Sequence, residues 1–461
     1  MLRLSGLIPR LNLPTPVNLF IVYVVCLAPI FLLLYVELAQ RRARTHQPRG
    51  CRKLGLRSVS NLTDEHDYNK QGVHKYSKNA RAKKKIKIKA LITYPIKSCA
   101  GVEFNFADAT ERGLLYDRQF AFAEYVETAT VENNEQGQNE STDSVSKKTV
   151  TGRWDCRTLR DGKFSRLALV RPEIWVPDPS SPTYSPNAPE VRSNGVLVIK
   201  YPRITSDFFT TLAMKLNLCT REESFQVPLF PPKGYSSVPM RIFKDTPNAY
   251  NYEAHVPRSL ATFLGSIKPL SLFRLDPADH RPVRGNTPNA EKLGFEPRIN
   301  LPDEYPLQMQ SIGSIRDIAE KVHYAIPKFS VRRFRPNLVL EGAVAYDEDD
   351  WKKIRIVPGP ESRIMPSSSA ENDRKEENKG VEVFVACHTV RCRLPNVDPD
   401  TGERHQIEPD KTLKSTRDID AGAKNRGCLG MMLVPASQKY TLHVGDEIEV
   451  LERGEHFYIR G

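Results

Sequence analysis

The chain has 461 residues, with 68 Lys+Arg against 55 Asp+Glu and a net charge of +13. At roughly 150 residues per domain this length gives two or three domains and room for a real core. Eight cysteines are too few for a disulfide scaffold, and the composition excludes collagen, coiled-coil and multi-span membrane classes.

The charge is concentrated. Residues 41–90 hold sixteen Lys/Arg and three Asp/Glu, which leaves 52 of each sign elsewhere. The folded remainder is charge-balanced, so no nucleic-acid partner is expected. After a short N-terminal segment (1–16), Leu19–Val36 runs for eighteen residues without a charge. As a helix that is about 27 Å, the thickness of a thin bilayer core. We assign a transmembrane signal-anchor to residues 17–38. The run is longer than a signal-peptide apolar region of roughly 7–15 residues. Arg41, Arg42, Arg44, Arg49, Arg52 and Lys53 follow it, which predicts a cytosolic C-terminal part. Residues 39–82 are polar and without periodicity, so they read as a basic flexible tether.

Order resumes at Lys83–Ile92, where Lys and Ile alternate as in a strand with one wet face. Further strand-like runs are Gln119–Ala123, Leu167–Val170, Val196–Ile199, Leu338–Leu340, Val381–Ala386 and Glu447–Leu451. Helical patterns are Ser206–Leu216, Ser259–Leu264 and Ser311–Tyr324. The pattern predicts a strand-rich, barrel-like α+β fold. It divides into a first unit over 83–275 with a disordered polar insert at 124–150, and a second over 276–461 with another insert at 358–380.

The sequence has no G-x-G-x-x-G, G-x-x-x-x-G-K-[ST], H-E-x-x-H or C-x-x-C motif. Three clusters remain. Lys97-Ser98 follows a strand in Tyr94-Pro95-Ile96-Lys97-Ser98-Cys99, where a cation, a hydroxyl and loop N–H groups suit an anion; Asp117-Arg118 lies downstream. Arg332-Arg333-Phe334-Arg335-Pro336-Asn337 precedes a strand, and arginine forks suit phosphate. Cys387-His388-Thr389-Val390-Arg391-Cys392-Arg393 ends a strand, and arginines beside Cys392 make it a candidate nucleophile or soft metal ligand. Solvated loops, buried inert thiols or a zinc site at Cys387, His388 and Cys392 are the alternatives.

In this order the clusters resemble the MOSC (molybdenum cofactor sulfurase C-terminal) superfamily, in particular its amidoxime-reducing members. Asn396-Val397-Asp398-Pro399-Asp400-Thr401-Gly402, Lys411-Thr412-Leu413-Lys414, Cys428-Leu429-Gly430 and Val444-Gly445-Asp446-Glu447-Ile448 also fit. The resemblance implies a MOSC N-terminal β-barrel domain followed by a MOSC domain, and a molybdopterin-type molybdenum cofactor. It implies Cys392 as metal ligand and catalytic residue, and Lys97, Ser98, Arg118, Arg335, Asn337 and Arg391 as cofactor-binding. Asp400 is either a catalytic carboxylate near the metal or a residue that shapes the turn. The chain departs from the pattern before Asp303-Glu304-Tyr305-Pro306-Leu307, where relatives carry a Ser/Thr pair. The resemblance further implies reduction of small N-hydroxylated substrates, with electrons from cytochrome b5 and its NADH-dependent reductase. It places such members in the outer mitochondrial membrane; charge alone also allows the endoplasmic reticulum. The other reading is a non-catalytic cofactor carrier or sulfur-transfer module.

Overall fold

The computed structural model describes residues 20, 22–33, 35, 47–67, 85–131, 148–205, 211, 214–215, 220–360 and 380–460. It is strand-rich α+β, as the alternating patterns require. The largest sheet runs 338–341, 307–311, 428–435, 381–390, 351–357, 447–453, 87–93, 102–104. Pairing of Leu338–Glu341 with Lys87–Thr93 closes seven of these strands into a barrel. A second, five-stranded barrel closes over 237–241, 248–251, 270–275, 120–131 and 148–156. Its core includes Ala121, Ala123, Met240, Ala249 and Phe273, small residues on one strand meeting large ones on the next. Strands 51–53, 171–177, 196–202 and 222–228 form a separate sheet.

The two expected units are interleaved. Residues 87–104 lie in the first by sequence but pair with strands of 338–341 and 447–453. A closed barrel needs its last edge covered, and this early strand supplies the cover. It also changes the expected wet face. Lys89 is buried and pairs with Asp64 (2.8 Å) because the strand has neighbours on both sides and residues 60–67 lie over it. The tether expected over 39–82 is accordingly folded in part. Cys51–Lys53 pairs with Trp175–Pro177, and Leu62 is buried among Ile92, Ile315 and Val331. Residues 39–46 and 68–82 lie outside the described residues.

Helix Ile312–Val322 falls where periodicity placed it, with Ile315, Ile318, Ala319 and Val322 buried. Leu167–Val170 is instead the end of a 3-10 helix, and the strand begins at Arg171. Leu167 and Ala168 are buried as a helical pair, which a four-residue apolar run does not distinguish from a strand. The insert expected over 124–150 is shorter: strands run to Val131 and restart at Lys148, in register. Residues 132–147 and 361–379 lie outside the described residues, as does most of 206–216.

For the expected anchor, residues 22–33 are helical and apolar, with Val22, Val25, Phe31 and Leu33 exposed. Residues 17–19, 21, 34 and 36–38 lie outside the described residues. Among the described residues no helix is long and apolar enough to cross a membrane.

Candidate active site

Strand ends from distant parts of the chain converge on one pocket. It is lined by Lys97 and Ser98 from the loop after Lys87–Thr93, and by Arg118 from the turn before Phe120. Phe334, Arg335 and Asn337 come from the turn before Leu338, and Arg391 and Cys392 from the end of Val381–Val390. Lys97, Ser98, Arg118, Arg335, Asn337, Arg391 and Cys392, all singled out by sequence, are thus brought together.

The backbone pays a conformational cost to do this. Ser98 (φ +68°), Arg118 (φ +47°) and Arg335 (φ +56°) are left-handed, three of the eight such non-glycine residues among those described. Each costs on the order of 1–3 kcal/mol and persists only where surrounding contacts impose it. The contacts are present. Arg118 Nη1 donates to Asp117 Oδ2 (2.6 Å) and Asn337 Oδ1 (3.1 Å), and its Nη2 donates to the Arg335 carbonyl (2.9 Å). Asn337 Nδ2 donates to Ile92 O (3.1 Å). Asn337 therefore ties three pocket walls together rather than leaving its amide open.

The pocket is cationic. Lys97 Nζ donates to Leu301 O (2.8 Å) and Asp303 Oδ1 (2.5 Å), and Arg160 Nη2 to Asp303 Oδ2 (2.6 Å). Burial lowers the Lys97 ammonium, opposed by Asp303. The same clamp, Arg160 first, outweighs burial and holds the Asp303 carboxyl well below the usual carboxylate range. Burial pushes Arg335 down to about 10 and Arg391 down to about 9. Arg118 and Arg335 lie over the Tyr94 ring (4.8 and 4.2 Å to its centroid), and burial pushes the Tyr94 phenol up to about 12. Buried cations short of counter-charge favour an anionic ligand.

The walls also carry polar atoms that no described residue satisfies. Arg335 Nη2, Gln308 Oε1 and Thr389 Oγ1, together with Gln310 Nε2 beside Arg391, are buried without a hydrogen-bond partner among the described residues. Buried polar groups are normally paired, so unpaired donors and acceptors around one pocket point to a polar ligand. Gly430 makes the Gln308–Gln310 pair possible. At φ +77°, its Cβ would sit 2.5 Å from Gln310 Oε1 and 2.7 Å from Gln308 Nε2.

Among the described cysteines, Cys392 is the one that lines the pocket. Burial pushes Cys387 up to about 12, Cys428 up to about 12 and Cys156 up to about 11, which makes them inert. Cys392 is partly open and faces the pocket. Arg391 is fixed by Leu429 O (2.8 Å) and Gln310 Oε1 (3.0 Å) and lies over Phe334. Arg393 turns away to Gln406 O (3.0 Å). Among the described residues no group of three or more His, Cys, Asp or Glu could hold a metal ion, so the zinc alternative has no support.

Asp400 does not join the pocket. Its two oxygens accept from Arg332 (2.8 and 2.6 Å), it is 63% exposed, and it lines a neighbouring cleft with Pro399 and Arg333. Arg332 holds its carboxyl below the usual range. This long-range ion pair fixes where the Asp398–Gly402 loop points. Sequence reasoning missed Arg160, Asp303 and Gln308 as pocket residues. Gln308 and Gln310 had a weak signal: glutamines alternating with Leu307 and Met309 in the strand Leu307–Ser311, all of it buried. Arg160 had none.

Two family models match the chain: the MOSC domain over residues 296–449 and the MOSC N-terminal beta barrel domain over 85–136. Mitochondrial amidoxime-reducing component 1 from Danio rerio is 28% identical over 192 residues, 41% of this chain and 50% of that protein. Mitochondrial amidoxime reducing component 2 from Bos taurus is 30% identical over 128 residues, 28% of this chain and 31% of that protein. Molybdenum cofactor sulfurase from Oryza sativa subsp. japonica is 22% identical over 279 residues, 59% of this chain and 26% of that protein. The chain thus spans about half the length, or less, of these curated relatives.

Proposed function

For a chain that carries a MOSC N-terminal barrel domain and a MOSC domain, we propose a molybdenum-cofactor oxidoreductase that reduces N-hydroxylated substrates. The observation that carries the reading is a cationic pocket into which Lys97, Arg118, Arg335 and Arg391 converge beside a partly open Cys392. The unpaired donors and acceptors on its walls fit a pterin, and the buried cations fit its phosphate. One thiolate suffices if the cofactor itself brings the remaining metal ligands. When bound, the molybdenum centre would supply the two-electron redox chemistry.

The chain's own residues do the rest. Cys392 is the metal ligand. Lys97, Ser98, Arg118 and Arg335 hold and orient the anionic end of the cofactor, and Gln308 and Thr389 face its polar edge. Arg391 holds the strand end that presents Cys392. Asp117 and Asn337 keep Arg118 in its left-handed position. Reduction of an N-hydroxy group consumes two electrons and two protons and releases water. The electrons come from cytochrome b5, itself reduced by an NADH-dependent reductase. Residues 17–38 anchor the chain in a membrane with 39–461 cytosolic. The names of the relatives support a mitochondrial membrane. The reading is tested with cofactor-loaded protein, cytochrome b5 and its reductase. NADH-dependent conversion of benzamidoxime to benzamidine is expected. A molybdenum-replete protein inactive on several N-hydroxy compounds would instead be a cofactor carrier, the function class that the sulfurase match also allows.

A further inference from the structure

Phe243 is a bulky residue in a backbone region and a position that do not suit it. Ile242 N donates to Asp245 O (2.9 Å) and Asp245 N to Ile242 O (3.0 Å), so Phe243 and Lys244 form a two-residue hairpin loop. Phe243 has φ +54°, where such a loop ordinarily takes Gly or Asn. Core burial does not offset that strain, since the residue is 42% exposed. The ring lies instead among cations: Arg160 at 4.8 Å, Lys97 at 5.0 Å and Arg281 at 6.0 Å from its centroid. It lines a cleft with Lys244, Arg284 and Arg460 that shares Arg160, Asp303 and Glu304 with the Cys392 pocket. The strained aromatic therefore stands in a cleft that shares a wall with the pocket, and strain of this kind collects at ligand clamps.

We propose that Phe243 is a specificity residue: its exposed ring stacks the planar aromatic part of the substrate, while the N–O group enters the Cys392 pocket. This rests on the reductase reading for the N–O group, but not for the aromatic contact. The guanidinium groups around the ring favour a neutral or anionic aryl group and disfavour a cationic one.

The test is equilibrium binding by calorimetry, on the cofactor-loaded full chain without reductant. The probes are benzamidoxime, its non-aromatic counterpart acetamidoxime, and benzamide, which lacks the N–O group. F243G removes the ring and suits the backbone, so its thermal midpoint should equal or exceed that of the wild type. Should it fail to fold, F243N, which also tolerates the left-handed region, takes its place. F243G is expected to weaken both aryl probes about tenfold and acetamidoxime by less than about twofold, with F243W restoring aryl binding. Equal aryl affinity in F243G and wild type overturns the proposal, as does a wild type that binds neither aryl probe. Benzamide binding that depends on Phe243, in a protein that never reduces benzamidoxime, sinks the reductase reading and leaves Phe243 as an aryl site.

Discussion

Asp303 sets the charge balance of the pocket. Its carboxylate accepts from Lys97 and Arg160, and Lys97 is only 5% exposed. Removing one partner of a buried pair leaves the other uncompensated, at about 3–5 kcal/mol. Asp303→Ala is therefore expected to lower the thermal midpoint of cofactor-free protein, and added inorganic phosphate to restore more stability to the variant than to wild type. Equal phosphate effects on the two would show that Asp303 does not stand where an anion binds. Asp400 carries the opposite expectation. Its pair with Arg332 is exposed and of the kind worth roughly 0–1 kcal/mol. Asp400→Asn should change stability by no more than that and leave turnover within about twofold; a large loss of kcat would put the carboxylate back at the metal. The difference between these two aspartates was not legible in sequence. Both sit in turn-forming segments, and only the arginine that reaches each one, Arg160 or Arg332, decides whether it faces the pocket. Cys392 was more legible, because a strand end flanked by arginines is a local feature.

At the scale of elements, periodicity placed helix Ile312–Val322 and most strands, since each reflects one buried face. It missed what depends on partners. Residues 47–67 have no periodicity, yet Leu62 is buried and Glu65 Oε2 accepts from Val331 N (3.0 Å) at the head of the turn that carries Arg335. Leu62→Ala is expected to cost about 2–5 kcal/mol, measured by denaturant unfolding. No change would show that the segment is not docked. The turn Asp347–Asp350 gives a pH signature. Glu348 is fully buried, Oε1 accepts from Ser314 Oγ (2.6 Å), Oε2 has no hydrogen-bond partner among the described residues, and burial holds the carboxyl up to about 8. A carboxyl raised on folding contributes stability that is full below its unfolded value, about 4.5, and lost as pH rises through about 8. Glu348→Gln should remove that loss, so the variant gains on wild type between pH 5 and 9 in unfolding experiments at stepped pH. Parallel stability curves would contradict the assignment.

Over the whole molecule, the strand-rich α+β class could be read from alternation, but not the order of strands. Alternation says which residues share a face and nothing about which strand is the neighbour. The early strand Lys87–Thr93 closes a barrel whose other strands begin at residue 307, and this closure carries Lys97 and Ser98 to the side of Arg335 and Arg391. The pocket is a product of that long-range pairing. The +13 charge of the sequence lies mostly outside it, while Arg118, Arg335 and Arg391 come from the charge-balanced remainder. The account stands on molybdenum held at Cys392. Metal analysis of purified wild type and Cys392→Ala tests it most directly. One molybdenum per chain in wild type and its loss in the variant are predicted; full molybdenum occupancy in Cys392→Ala would contradict the account.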